Sequence, residues 1–232
     1  MQKYDIFLVD ADNTLLDFHK SAMLAIRDTF EIFGVDCKKD YLDKYESFNE
    51  KLWQRLEKKK LTRDELMNNR FSWFFEEIGL TELDGDEFNQ KYIQTLSNRP
   101  TYFDGAEEFI KTLRKNGRVY IVTNGTESIQ KRRFDILNLW NKVDGVFISQ
   151  AVGADKPDIK FAERVMAQIK EFNSARAIWI GDSLSADIKG ANLANIHSIW
   201  YNPQKISLKE NDPKPTYIAD GFEKILSILQ IN

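Results

Sequence analysis

Apolar positions along this chain follow two rhythms. Short unbroken runs occur at 6–9 (IFLV), 119–122 (VYIV), 177–180 (AIWI) and 197–201 (HSIWY), with a weaker one at 146–149 (VFIS). Runs of this length, rich in β-branched and aromatic residues and bounded by polar or glycine turns, predict strands buried on both faces. Between the later runs lie helix-length stretches with apolar residues at helical spacing: AEEFIKTLRKNG, with Gly117 as its stop, then TESIQKRRFDILNL and IKFAERVMAQI. Strand alternating with helix predicts the α/β class, a parallel sheet covered by helices.

Residues 17–98 break that rhythm, because no strand-like run appears in them. Four helices are predicted instead, over 21–34 with Ser21 as N-cap, 41–60, 61–79 and 86–98. The second ends in lysines that suit the helix dipole. The third opens with Thr62 and Glu65 at capping-box spacing. The chain thus divides into a core domain, 1–16 with 99–232, and a helical domain, 17–98, inserted after the first strand. The basic runs KKK at 58–60 and KRR at 131–133 read as solvated helix faces.

Composition narrows the function classes. With 232 residues the chain can bury a sizeable core, and a net charge of −3 does not suggest a nucleic-acid partner. Cys37 is the single cysteine, which fits a reducing compartment. His19 and His197 are too few for a histidine-rich metal site. No segment approaches the roughly 18 apolar residues of a membrane span, and MQKYD followed by four apolar residues is not a secretory leader. A cytoplasmic protein without a membrane or nucleic-acid partner is expected, as monomer or homodimer.

The chemistry lies at the strand ends. Asp10 and Asp12 follow IFLV directly, and side chains two apart on an extended strand end point the same way. Both would converge at the carboxyl edge of the sheet, where open α/β sheets bind ligands. Like charges so close repel unless a cation or shared proton relieves them. An Asx-type turn would use the same DADN residues as punctuation. TNGT, at 123–126, offers the Thr123 hydroxyl, Asn124 and backbone N–H groups leading into a helix, a natural phosphate site or an ordinary cap. Lys156 precedes Pro157 at a predicted helix start and could neutralise phosphate. IWIGDSLSAD repeats the opening pattern, bringing Asp182 to the same edge, with Asp187 five residues on, to complete a hard oxygen site suited to Mg²⁺.

In this order, each after its own strand, the four motifs resemble the haloacid dehalogenase superfamily of aspartate-nucleophile phosphohydrolases over essentially the whole chain. DADNT resembles its first motif, Thr123 its second, Lys156 its third and GDSLSAD its fourth. The resemblance implies a Rossmann-like core with a helical C1 cap. FNEKLWQRLEKKKLTRDELMNNRFSWF and VTNGTESIQKRRF are similar to the YjjG-type pyrimidine 5′-nucleotidase branch, although DIKF after the lysine is one residue shorter than in that branch.

The superfamily's roles, carried onto these positions, make Asp10 the nucleophile and Asp12 the acid and base. Asp10, the Asp12 carbonyl and Asp182 would hold Mg²⁺, with Asp187 behind them. Thr123, Asn124 and Lys156 would hold phosphoryl oxygens. The implied substrate is a small phosphomonoester, a pyrimidine nucleoside monophosphate. Another small-molecule phosphatase, acting on a sugar phosphate or a phosphoglycolate-like compound, or a phosphosugar mutase is the alternative enzyme; a non-catalytic binding protein is the other class. Asp12 and Asp182 together favour phosphate over dehalogenase chemistry. The insertion is expected to select the leaving group, with Trp53 and Arg70 as the candidates and most other aromatics there forming its core.

Overall fold

The computed structural model describes residues 3–231, apart from the side chain of Glu57. All five apolar runs form strands: β1 (Ile6–Val9), β2 (Arg118–Thr123), β3 (Gly145–Ile148), β4 (Ala177–Gly181) and β5 (His197–Tyr201). A sixth, β6 (Tyr217–Ala219), was not expected; at three residues, with only Ala219 buried, it leaves no apolar run to read. The sheet order is β3-β2-β1-β4-β5-β6 and every pairing is parallel. The first strand of the chain is therefore central, pairing Ile6 with Arg118 on one side and with Ala177 on the other. Strands β2 and β3 are added on one side of β1 and β4 to β6 on the other, so the order of connection reverses there and places the switch point of the sheet at the end of β1.

The helical unit runs from Phe18 to Thr101. It contains α1 (Phe18–Ile32), α2 (Lys39–Glu57), α3 (Arg63–Ile78) and α4 (Gly85–Ser97). The α1 helix starts three residues before Ser21, which is fully buried within the helix rather than at its N-cap. Phe18 continues the apolar stripe of Ala22, Ala25 and Ile26 back by one turn, which explains the earlier start. The capping box of α3 forms as its spacing predicts: Thr62 Oγ1 accepts from the Glu65 N–H at 3.2 Å, and the Thr62 N–H donates back to Glu65 at 2.8 Å. Lys58 to Lys60 follow α2 rather than close it, and all three are exposed. Phe30, Tyr45, Phe71, Phe74, Phe88 and Tyr92 form an aromatic interior.

The other unit comprises the chain up to Asp17 and from Tyr102 onward. Both junctions lie later in the chain than expected, because Leu16 bridges to Tyr102 and the Phe103 N–H donates to the Leu15 carbonyl at 2.9 Å. Its helices are α5 (Ala106–Asn116), α6 (Glu127–Ile136), α7 (Ser149–Val152), α8 (Ile159–Gln168), α9 (Lys189–Leu193) and α10 (Phe222–Leu229). Alternation along the strands divides the sheet's side chains between two faces. Phe7, Val9, Ile121 and Ile180 pack with residues of α5, α6 and α10, while Ile6, Leu8, Val122 and Trp179 pack with residues of α8 and α9. This is the helix-covered parallel sheet that the pattern predicts.

Gly117 does end α5, but not through a left-handed turn: its φ is 170°, an extended value. A Cβ there would lie 2.4 Å from the Asp5 carbonyl oxygen, so close backbone approach is what requires glycine. Among the described residues no helix is long and apolar enough to cross a membrane.

Candidate active site

The turn after β1 is built by DADNT. Asn13 adopts a left-handed conformation with φ 60°, which asparagine tolerates, and the N–H groups of Leu15 and Leu16 return to the Ala11 carbonyl at 2.9 and 2.8 Å. The turn brings the buried Thr14 hydroxyl back to Asp10 Oδ2 at 3.3 Å and within 3.4 Å of Asp182 Oδ1. Asp10 is itself held by its N–H, which donates to the Ile180 carbonyl of the neighbouring strand at 2.9 Å.

Lys156 sits at the centre of the charge cluster. Its ammonium donates to Asp10 Oδ1 at 2.5 Å, to Asp187 Oδ1 at 2.7 Å and to the Val122 carbonyl at 2.9 Å, which engages all three of its protons. Only 3% of the residue is exposed. Burial pulls its pKa down, yet the paired Asp10 and Asp187 carboxylates outweigh burial and the net direction is upward. Pro157 does not open the following helix: α8 starts at Ile159, and Asp158 caps it by accepting from the Lys160 N–H at 3.1 Å.

Asp187 is buried and fully engaged. Beyond Lys156 it accepts from the Trp179 indole at 3.2 Å and from the Ser183 N–H at 3.2 Å. It reaches this place through a tight turn at 184–188, capped by Ser183 Oγ on the Ala186 N–H, and through the absence of a side chain at Gly181. A Cβ there would lie 2.3 Å from Asp187 Cγ. Asp182 follows Gly181, and its carbonyl accepts from the Trp200 indole at 2.7 Å.

One oxygen from each of Asp10, Asp182 and Asp187 falls within 4.8 Å of the others. Burial pushes Asp10 up to about 7 against the pull of Lys156, with Asp187 and Asp12 adding repulsion. Asp182 is raised well above the ordinary carboxylate range, by desolvation first and then by the charges of Asp10 and Asp187. Three hard oxygen donors facing one ammonium, with two of them strained toward their neutral forms, suit a small divalent cation such as Mg²⁺. Asp187, already bonded on both oxygens, fits a place behind Asp10 and Asp182.

Asp12 is held on different partners. Its Oδ1 pairs with Arg133 Nη2 at 2.7 Å and its Oδ2 accepts from Gln130 Nε2 at 2.8 Å. Gln130 Nε2 also donates to the fully buried Thr123 Oγ1 at 3.0 Å, which leaves the threonine proton to be donated elsewhere. Sequence reading missed both residues of α6. KRR is a solvated face only at Lys131 and Arg132; Arg133 is 0% exposed. The available signal was periodicity: Gln130 and Arg133 are three apart and share the buried face with Ile129 and Phe134.

The TNGT loop is tied to neighbouring segments by side-chain and backbone bonds. The Asn124 side chain clamps the Lys156 backbone, donating to its carbonyl at 2.9 Å and accepting from its N–H at 2.8 Å. The Gly125 N–H is bonded to Ser149 Oγ at 3.1 Å and the Glu127 N–H to Gln150 at 2.7 Å. These bonds organise the loop and position the lysine.

In the helical unit, Trp53 is half-buried beside Leu52, Leu61 and Leu66, with the Arg63 guanidinium 5.7 Å from its ring centre. Arg70, offered above as a residue that reads substrate, is 3% exposed. Its guanidinium donates to Asn89 at 2.6 Å and lies against Phe71 and Tyr92. That enclosure sets Arg70 in the packing of the unit, not on its surface.

The model of the haloacid dehalogenase-like hydrolase family matches residues 4–195. The HAD-hydrolase YfnB of Bacillus subtilis is 36% identical, with 100% of this chain and 97% of that protein covered. Pyrimidine 5′-nucleotidase PynA of Streptococcus pneumoniae is also 36% identical, over 99% of this chain and 96% of its own. A crystal structure of B. subtilis YfnB bound to magnesium superposes with a TM-score of 0.93 at 35% identity, covering 99% of this chain and 100% of that one.

Proposed function

This chain belongs to the haloacid dehalogenase-like hydrolases, and on that premise we propose that it hydrolyses phosphate monoesters, pyrimidine nucleoside monophosphates foremost. The observation that carries the reading is the arrangement of carboxylates: Asp10 clamped by Lys156 beside Asp182 and Asp187, and Asp12 held apart on Arg133 and Gln130. Two carboxylates in such different surroundings suit two different tasks. The nucleotide preference draws on PynA, whose name records pyrimidine 5′-nucleotidase activity.

In this reading the Asp10 and Asp182 carboxylates and the Asp12 carbonyl would hold Mg²⁺, whose positive charge would screen nucleophile from phosphate. Asp10 attacks phosphorus through one oxygen while Lys156 fixes the other, so its lone pair is aimed by the lysine clamp. As the ester P–O bond breaks, Asp12 gives its proton to the leaving oxygen. It then takes a proton from the water that cleaves the aspartyl-phosphate, returning Asp10 to a carboxylate and releasing phosphate. The Thr123 hydroxyl donates to a phosphoryl oxygen. These groups touch only phosphate, so selection of the leaving group falls to other side chains, with Trp53 the candidate of the helical unit.

Phosphate release across nucleoside monophosphates and sugar phosphates, with Mg²⁺ and with chelator, tests the proposal. Fastest turnover on pyrimidine monophosphates with Mg²⁺ is expected. Preference for a sugar phosphate would overturn the substrate assignment, and label passing from ester to a sugar acceptor would mark a mutase.

A further inference from the structure

The reaction proposed above assigns no role to the most deeply buried cation on α6. Arg133 is 0% exposed and pairs with Asp12 Oδ1 at 2.7 Å, while its Nη1 donates to Gln130 Oε1 at 2.7 Å. Gln130 Nε2 in turn reaches both Asp12 Oδ2 at 2.8 Å and Thr123 Oγ1 at 3.0 Å. The result is a closed set of bonds in which one helix face grips both oxygens of Asp12 and ties them to the end of β2. Removing a guanidinium from water is expensive, and replacing such pairs by apolar groups often stabilises a protein. A buried Arg–Asp pair is therefore weak evidence for stability and better evidence for geometry. The Asp12 side chain is 21% exposed, so without these bonds it has solvent to turn toward.

We propose that Arg133, with Gln130, is a positioning residue that sets the place from which the Asp12 carboxyl reaches the leaving oxygen. The inference rests on the phosphomonoesterase reading, since it assigns Asp12 the proton delivered as the ester bond breaks. Arg133 itself touches neither phosphate nor leaving group.

A merely structural role would slow every substrate alike. In kcat/KM, which reports the steps through cleavage of the ester bond, a positioning role acts only where a proton must be delivered; the later activation of water is common to both esters and enters kcat alone. The experiment compares kcat/KM of the full chain with Mg²⁺ on uridine monophosphate, whose alkoxide departs poorly, and on 2,4-dinitrophenyl phosphate, whose phenolate departs unprotonated. Arg133→Met, Arg133→Lys, Gln130→Leu, Asp12→Asn and the double variant of Arg133→Met with Asp12→Asn are measured, with melting curves for each.

For Arg133→Met we expect kcat/KM on uridine monophosphate to fall about 100-fold, within the range of general-acid contributions, with little change in KM. The ratio between the two substrates should fall at least about tenfold, with smaller falls for Arg133→Lys and Gln130→Leu. The double variant should be no slower than Asp12→Asn alone, because both changes remove one function. Equal losses on both esters, or additive losses in the double variant, overturn the assignment. If Arg133→Met does not fold, an unchanged ratio in Arg133→Lys and Gln130→Leu overturns it as well. Wild-type chain that releases phosphate from neither ester overturns the underlying reading together with it; active wild type with an unaltered ratio in the variants overturns this inference alone.

Discussion

Asp10→Asn separates the electrostatics of the site from its chemistry. In the fold the Asp10 carboxyl is pushed from an ordinary 3.8 up to about 7, so burial and its neighbouring carboxylates outweigh Lys156. A carboxyl raised in this way is no burden below its unfolded value, where both states hold the proton. The fold then loses stability as pH climbs toward 7, and above that the loss is complete. At about 1.4 kcal/mol per pH unit, the ionised Asp10 costs the metal-free protein at most about 4 kcal/mol at pH 8. Asparagine is nearly isosteric and cannot ionise; allowing for its poorer match to the lysine, it should stabilise by about 1–3 kcal/mol, or roughly 3–10 °C in melting temperature for a chain of this size. The gain should shrink to less than half by pH 5. The assay is thermal melting of both proteins in chelator from pH 5 to pH 8, alongside phosphate release, which the amide should abolish. A variant that melts below wild type at pH 8, or a difference independent of pH, would show that the Lys156 ion pair governs the site and refute the reasoning.

The remaining predictions concern neighbouring groups. Chelation should abolish phosphate release and Mg²⁺ restore it; Ca²⁺, with its longer and looser coordination, should inhibit, and full activity in chelator would sink the metal assignment. Because Asp10 and Asp182 are both displaced upward, Mg²⁺ should raise the melting temperature more at pH 8 than at pH 5, where protons compete for the same oxygens. Gly181→Ala places a Cβ 2.3 Å from Asp187 Cγ and should force that carboxylate off Lys156. It should destabilise by about 1–3 kcal/mol and slow turnover at least about tenfold, seen by melting and phosphate release. Wild-type behaviour would detach Asp187 from the clamp. Trp53→Ala should raise KM for pyrimidine monophosphates about 5–30-fold while sparing a small aryl phosphate, since a lost base stack is worth about 1–2 kcal/mol; equal effects on both would return Trp53 to packing.

Legibility in the sequence followed local punctuation. Asp10, Lys156, Asp182 and Asp187 were readable because each lies just past an apolar run or in the turn before a helix, where backbone geometry and residue type agree. The partners of Asp12 were not readable. Arg133 sits among basic residues, and its burial depends on helix phase rather than on charge. Asn124 was recognised as belonging to the loop, but its bidentate hold on the Lys156 backbone joins segments 32 positions apart. Ser21 reads as a cap from its residue type alone, and the apolar stripe beginning at Phe18 overrides it. β6 escaped notice because a short edge strand with one buried residue carries no alternation.

The central place of β1 has a consequence for synthesis. β1, the first of the sheet's strands in chain order, needs partners on both flanks, and the later of these is β4. Lys156 meets Asp10 across 146 positions and Thr14 meets Asp182 across 168. Pairings this remote in sequence fold slowly, because a long loop must close before any contact is gained. The helical unit, by contrast, lies within one continuous segment and draws on nearer neighbours. A growing chain can thus order its helices while Asp10 still waits for Lys156 and for the acidic turn after β4. A fragment ending before Asp182 would therefore hold Asp10 without the acidic turn after β4, and on the function proposed above it should release no phosphate.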